Sequence, residues 1–373
     1  MDDETVFALA LLQVPGVGPR RFQSLLARFG SAKATYYAGK AELSYFNNPA
    51  YKDLADRIVD CRKDPGVTLR IERLLGKYSA QGIEVVAVTD QEYPAALKLI
   101  PDPPPVLWRK GVLRPESTRV AIVGTRRATP YGRKVAREIA RSLSLAGAEV
   151  VSGLARGIDT AAHEGTVACG RPTIAVLGCG VDQVFNQDAS LLANDIISAG
   201  GALVSEYVPG TPPLAEHFPV RNRIISGLSC GVIVVEAPEK SGALITAHAG
   251  ADQGREVMVV PGSIYSPASV GCHRLIGDGA KIVTSVEDVL RVLGFTAGAA
   301  GRPAYRQDCL PVEVTGAEAS VFAVLKHGPA RFEGIVDECS LDAVDVGVAL
   351  GMLEIRGLAR RTAEGWFESA FGG

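Results

Sequence analysis

Residues 119–163 read RVAIVGTRRATPYGRKVAREIARSLSLAGAEVVSGLARGIDTAAH. Val120 to Val123 is a short apolar run, the pattern of a strand buried on both faces. It stops at Gly124-Thr125-Arg126-Arg127. The spacing then predicts a helix from about Tyr131 to Leu145, with Val135, Ile139 and Leu143 on one side and Arg133, Arg137 and Arg141 on the other. Gly147 closes it. A second buried strand, Glu149 to Val151, breaks at Ser152-Gly153-Leu154-Ala155-Arg156-Gly157, and another helix starts near Asp159. In a parallel sheet both Gly/Arg loops fall at the carboxyl edge, where ligands bind. Each joins helix-start amides to an arginine, a combination suited to an anion.

Strands and helices keep alternating beyond this stretch. Strands are predicted at Thr173 to Leu177, Ala202 to Ser205, Val232 to Glu236, Val257 to Val260 and Lys281 to Thr284. Helices are predicted at about Ser190–Ala199, Arg221–Leu228, Ala243–Gln253 and Val286–Leu293. Seven strands counted from Val120 make an α/β domain: an extended Rossmann-like, doubly wound parallel sheet over residues 76–295. Three more loops reach the same edge: Pro209 to Arg223, Glu236 to Thr246 and Pro261 to Ala280. The candidate anion groove therefore comprises Arg126, Arg156, Phe218, Arg221, Asn222, Arg223, Lys240, Ser241 and Gly242. Phe218 beside arginines offers a stacking face next to charge, as single-strand sites do; otherwise it is a core residue under the loop. Some of the arginines are expected to be ion-paired, with Glu206 and Glu236 as partners, Arg223 facing Glu236.

A chain of 373 residues exceeds one ordinary core. Residues 1–75 look helical, with an apolar helix from Thr5 to Leu12 and a second helix starting at Pro19. Between them Gly16-Val17-Gly18 makes a tight turn whose amides suit a DNA phosphate, with Arg20 and Arg21 beside it. The alternative is a helical hairpin that needs glycine only to turn. Residues 76–118 hold a strand, Ile83 to Val88, and a proline-set connector, Pro101 to Pro105, read as packing over the sheet edge. Residues 296–312 are rich in Gly, Ala and Pro and read as a linker. Residues 313–373 form a last domain, with helices at Gly316–His327, Phe332–Cys339 and Leu341–Gly357 before a hairpin at 359–367.

Net charge is −2, so charge alone does not announce a nucleic-acid partner. Its distribution is uneven: residues 311–373 hold 5 Lys/Arg against 10 Asp/Glu. The third helix of the last domain carries Asp342, Asp345 and Glu354 with Arg356 as its one base, which phosphates would repel. A protein-contact module is the better reading of it. The 7 cysteines form no CxxC pair and the 5 histidines show no ligand spacing, so no metal site is expected. The start MDDET and the lack of a long apolar run predict no signal peptide, no membrane span and a cytoplasmic location. Gly227-Leu228-Ser229-Cys230-Gly231 fits GxSxG, but a helix precedes it and a strand follows, the reverse of a nucleophile elbow. Gly178-Cys179-Gly180 lacks the third glycine of a dinucleotide fingerprint. Asp159 and His163, four apart, read as a helix cap and a packed ring rather than an acid/base pair.

Six segments in order carry a resemblance to a known family: Tyr93-Pro94 with the proline connector, VAIVGTRRATPYG at 120–132, VVSGLARGIDTAAH at 150–163, FPVRNRIISGLS at 218–229, SGALITA at 241–247 and REVMVVPG at 255–262. The chain resembles the DNA-processing protein A (DprA/Smf) family. Its first and last domains are similar to the SAM-like helix-hairpin-helix and winged-helix extensions of some members. The resemblance implies a homodimer through the Rossmann-like domain that binds incoming single-stranded DNA in natural transformation, protects it, and helps load the recombinase RecA, without enzymatic activity or cofactor. Two positions depart from the common family pattern, Val184-Phe185-Asn186-Gln187-Asp188 and His273. The rival reading is an enzyme of the same fold that binds a phosphorylated nucleoside.

Overall fold

A computed structural model describes residues 3–43, 49–184, 187–294, 316–326, 330–339, 341–355, 359–361 and 367–369. The chain divides into two compact units, Met1–Pro303 and Ala304–Gly373. The expected linker, 296–312, lies outside the described residues.

The first unit opens with six helices: α1 (Asp3–Leu12), α2 (Pro19–Phe29), α3 (Ala32–Tyr37), α4 (Lys40–Leu43), α5 (Pro49–Cys61) and α6 (Val67–Ser79). Helix α1 is apolar nearly all round and is buried accordingly from Thr5 to Leu11. Gly16 turns the chain at φ 95°, and Pro19 opens α2, whose N-cap Gly18 makes no side-chain hydrogen bond.

Nine strands follow: β1 (Ile83–Ala87), β2 (Val106–Gly111), β3 (Arg119–Val123), β4 (Glu149–Ser152), β5 (Thr173–Val176), β6 (Ala202–Ser205), β7 (Gly231–Val234), β8 (Glu256–Val259) and β9 (Lys281–Ile282). They form one sheet in the order β1-β2-β6-β5-β4-β3-β7-β8-β9. The seven strands β3 to β9 are the expected ones, and every pairing among them is parallel. Strands β3 to β7 are buried at every residue, which is why they read as unbroken apolar runs rather than alternating ones. Strand β2 was not expected. It follows the proline connector, pairs antiparallel with both β1 and β6, and buries Trp108. Trp108 joins the α1–α6 side chains and Leu177 and Leu203 in one core, so the helical segment packs directly on the sheet.

The interstrand helices are α7 (Ala95–Lys98), α8 (Pro130–Leu145), α9 (Ile158–Val167), α10 (Gln187–Ser198), α11 (His217–Gly227), α12 (Gly242–Asp252), α13 (Val270–Gly277) and α14 (Val286–Val292). Two differ from expectation. Helix α11 starts at His217, not Arg221, so Phe218 lies within it. Helix α13 occupies part of the stretch read as a long loop, where His273 holds the Gly262 carbonyl at 3.1 Å. Of the other departure, Phe185 and Asn186 lie outside the described residues.

The second unit contains α15 (Ala317–Lys326), α16 (Phe332–Cys339), α17 (Ala343–Ile355) and a hairpin of β10 (Ala359–Arg361) with β11 (Phe367–Ser369). Three helices and a hairpin around Val321, Leu325, Ile335, Leu350 and Phe367 are the expected winged-helix arrangement. Asp342 caps α17 through the Asp345 amide at 2.8 Å, and Asp345 and Glu354 are exposed along it. Arg356 lies outside the described residues.

Strand order reverses at β3: the chain steps outward through β4, β5 and β6, then returns to β3's other side with β7. Such a reversal leaves a crevice at the carboxyl ends of the strands. Here the crevice depends on one backbone position. Gly157, before α9, has φ 92°, and a Cβ on it would sit 2.3 Å from the Thr125 carbonyl oxygen. Gly157→Ala should therefore cost more than about 3 kcal/mol, from the glycine-only conformation plus the backbone clash. Gly170, at φ 66° with open space around it, is the control; Gly170→Ala should cost only about 1–2 kcal/mol in the same urea titration.

Candidate nucleic-acid interface

The crevice is a groove of about 520 Å³. The loop after β3 brings Thr125, Arg126 and Arg127, and the loop after β4 brings Ala155 and Asp159. Helix α11 brings Phe218, Arg221 and Asn222, and the loop after β7 brings Lys240, Ser241 and Gly242. Sequence reading thus assembled one place from four loops. It overlooked Arg127, although the residue stands in the same Gly-Thr-Arg-Arg turn.

The cations divide into two kinds. Arg126, Arg127 and Lys240 are exposed and line the groove. None of them is among the ion pairs of the described residues. Arg126 lies over the Phe218 ring, 5.2 Å from guanidinium carbon to centroid. Arg156 is also exposed, but beside the groove rather than among its lining residues.

Arg221 and Arg223 correct the expectation of free phosphate contacts. Arg221 is 3% exposed. Its Nη1 donates to the Gly153 carbonyl at 2.8 Å and to the Val176 carbonyl, at the ends of β4 and β5. Gly153 makes the room: a Cβ there would lie 2.6 Å from the guanidinium. Arg223 forms a two-pronged pair with Glu206, at 2.8 and 2.7 Å, and reaches Asp102 at 3.3 Å. Its partner is Glu206, not Glu236. Glu236 instead accepts from the Thr129 amide at 2.9 Å and from the Thr129 hydroxyl, holding the start of α8. Asn222 is also a holder: its Nδ2 donates to the Gly242 carbonyl at 3.2 Å, locking α11 to the first residue of α12. Ser241 caps α12 through the Ala243 amide at 3.3 Å.

Asp159 does not cap α9, which starts after Gly157 without a side-chain cap. Its carboxylate folds back under the loop, accepting from the Gly153 amide at 3.2 Å. Burial raises it to about 6, against the pull of Arg221 and of its hydrogen bonds. Burial, with Arg221 nearby, drives His163 down to about 3. Thr173 gives its hydroxyl hydrogen to the Val150 carbonyl at 2.7 Å and so accepts from His163 Nδ1 at 2.9 Å, which leaves Nε2 as the bare, buried nitrogen. Burial lowers Arg221 itself to about 10, so it stays charged at neutral pH.

The turn residues Gly16, Gly18, Arg20 and Arg21 do not join this groove. They line a second, mostly apolar cavity of about 720 Å³, with Trp108, Glu206, Tyr207, Val208, Val220 and Arg223. Arg21 Nη1 holds the Gly16 carbonyl at 2.9 Å.

The sequence profile of DNA recombination-mediator protein A matches residues 84–294, and that of the DprA winged helix domain matches residues 308–365. The chain belongs to the DNA recombination-mediator protein A family. Within the family, DNA processing protein DprA of Bacillus subtilis is 42% identical over 226 residues, 60% of this chain and 76% of that protein. Protein Smf of Synechocystis is 32% identical over 392 residues, covering 96% of both. Among solved structures, DNA processing protein A of Streptococcus pneumoniae aligns with a TM-score of 0.54 at 35% identity, over 74% of this chain and 98% of that one. DNA processing protein A of Helicobacter pylori, described for its single-stranded DNA binding mode, aligns with a TM-score of 0.51 at 29% identity, over 57% and 95%. Among the described residues no helix is long and apolar enough to cross a membrane, and no cluster of His, Cys, Asp or Glu could hold a metal.

Asp159 and His163 oppose each other in the pH dependence of stability. Asp159 at about 6, against an ordinary 3.8, gives stability that is present below pH 3.8 and lost as pH rises through 6. His163 at about 3, against 6.5, gives stability that is present above pH 6.5 and lost as pH falls toward 3. Between pH 6 and 4 the native state holds one proton on Asp159 and the unfolded chain holds one on His163, so the two cancel. Asp159→Asn removes one side. Urea titrations at pH 6, 5 and 4 should show the variant losing up to about 1.4 kcal/mol per pH unit more than the parent.

Proposed function

We propose that this protein binds single-stranded DNA along the carboxyl edge of its sheet. The observation that carries the reading is the trio Arg126, Arg127 and Lys240, exposed and outside any ion pair of the described residues, around Phe218 at the strand-order reversal. A cationic track beside an aromatic ring binds a strand of any sequence, because phosphates carry no sequence information and stacking tolerates every base. The family membership and the Helicobacter pylori relative's described binding mode support it. With it go the rest of the family resemblance: protection of incoming DNA in natural transformation, help in loading RecA, a homodimer through the Rossmann-like domain, and a cytoplasmic setting. The activity is binding rather than catalysis. The groove's acid, Asp159, is buried under a loop.

Equilibrium titrations at several salt concentrations test this. Arg126→Ala, Arg127→Ala and Lys240→Ala should each weaken binding to all sequences alike and lower the slope of log affinity against log salt by about 0.7. The triple variant should lose about two units of slope. Arg223→Ala should behave differently, losing on the order of 3 kcal/mol of stability by orphaning Glu206 while leaving the slope unchanged. A folded triple variant with the parent's affinity and slope would place the strand elsewhere. Turnover of a bound mononucleotide would favour the enzyme reading instead.

A chain ending at Pro303 should bind single strands as the full chain does, since the removed residues carry 5 Lys/Arg from 311 onward against 10 Asp/Glu. A large fall in affinity of the folded shorter chain would contradict it.

A further inference from the structure

We propose that the strand held in the groove leaves it along helix α8, with its phosphates on the row Lys134, Arg137 and Arg141. The inference rests on the single-strand reading above and adds to it a direction and a second set of contacts.

Helix α8 has two unlike sides. Ala136, Ile139, Ala140 and Leu143 are buried in the core they share with β3 and β4. Arg133, Lys134, Arg137 and Arg141 are exposed, and Glu138 is the one acid of the helix. At about 100° per residue, Lys134, Arg137 and Arg141 fall within about 60° of one another, a single row on the solvent side. The row spans about 10 Å along the axis, the length of about three nucleotides at about 3.4 Å each.

The row starts at the groove. Arg133 donates from Nε and Nη2 to the Ala128 carbonyl, at 3.2 and 3.0 Å. Ala128 follows Arg127, which lines the groove. A strand that passes Arg126 and Arg127 therefore comes next to the opening turns of α8.

The bases of the row are available to phosphates. Lys134 lies 3.9 Å from Glu138, with the two side chains 75% and 65% exposed; a pair so long and so exposed holds its lysine weakly. Arg137 gives Nε and Nη2 to one oxygen of Glu164, at 2.9 and 2.6 Å, and its Nη1 has no partner among the described residues. Arg141, one turn further, is outside the ion pairs of the described residues. Charge on this layer of helices also has a direction. Helix α9 packs between α8 and α10, and α10 exposes Asp188 and Asp195 and carries no base. The layer is therefore positive at α8 and negative at α10, which draws a polyanion to the α8 side.

The test titrates the full chain with oligothymidylates of about 6 and about 16 nucleotides at several salt concentrations. The shorter strand is held by the groove; the longer one reaches the row. The triple variant Lys134→Ala, Arg137→Ala, Arg141→Ala changes solvent-facing positions of a helix that alanine suits, so the fold should persist. It should bind the shorter strand as the parent does. With the longer strand it should lose about two units of the slope of log affinity against log salt, about 0.7 for each phosphate contact, and at least about tenfold in affinity at about 0.1 M salt. Arg141→Glu alone should show the same split between lengths, losing at least about 0.7 of slope. A folded triple variant whose long-strand slope falls by less than about one unit overturns the proposal. So does a loss shared equally by both lengths, the mark of a general change in the protein's field. Should the triple variant not fold, Arg141→Glu decides alone. A parent that binds neither length refutes the groove reading itself, whereas a parent that binds both, with the variant matching it at both, refutes only the path along α8.

Discussion

The groove is built around a guanidinium that never reaches its surface. Arg221 is buried at the junction of three elements, donating to the carbonyls that end β4 and β5 from the second turn of α11. A buried charge is tolerated only when paired and hydrogen-bonded, and here loop carbonyls and the Asp159 carboxylate supply that environment. The consequence is geometric. With Arg221 fixed, α11 cannot roll, so Phe218 is set over the mouth of the crevice with Arg126 against it. Asn222 on the neighbouring position fastens the start of α12. One helix therefore aligns three of the four loops before any ligand arrives, which lowers the ordering cost of binding.

The division of the arginines follows from that arrangement. A sequence displays Arg221, Asn222 and Arg223 as a polar run beside an aromatic residue, the same composition that a phosphate track would have. Composition cannot say which guanidiniums face inward. Helical geometry and one glycine say it: Gly153 vacates the volume that Arg221 fills, and Arg223, about 200° further round α11, meets Glu206 instead. The exposed cations come from loops, Arg126, Arg127 and Lys240, where no packed helix face can absorb them.

The parallel sheet was legible because fully buried strands leave apolar runs punctuated by glycine, and all seven runs from Val120 onward are strands. The carboxyl-edge groove was legible for the same reason, since alternation of strand and helix places every second loop on one edge. Strand β2 was not. VLWRKG follows five residues dominated by proline, and its burial falls off toward Gly111, so neither periodicity nor flanks mark it. The early start of α11 was hidden by Pro219, which reads as a break but is tolerated in a helix's first turn. The Asp159 and His163 interactions were hidden because each depends on how the chain folds back after β4, Asp159 onto the Gly153 amide of its own loop and His163 onto Thr173 of β5.

The two units carry opposite implications for a polyanion, and each does so through its own surface. In the first, the cations that matter are few, but they converge on one crevice with an aromatic ring, so a net charge near zero conceals a local attractive field. In the second, α17 occupies the place of a reading helix yet exposes Asp345 and Glu354, beside Val344 and Val348 at 73% and 63% exposure. Acidic groups repel phosphates, and exposed aliphatic residues one turn apart have nothing to gain from a base edge. They gain from an apolar protein surface, burying on the order of 1.5–3 kcal/mol each when fully covered. The fold that elsewhere reads the major groove is therefore better matched, by this surface chemistry, to a protein partner.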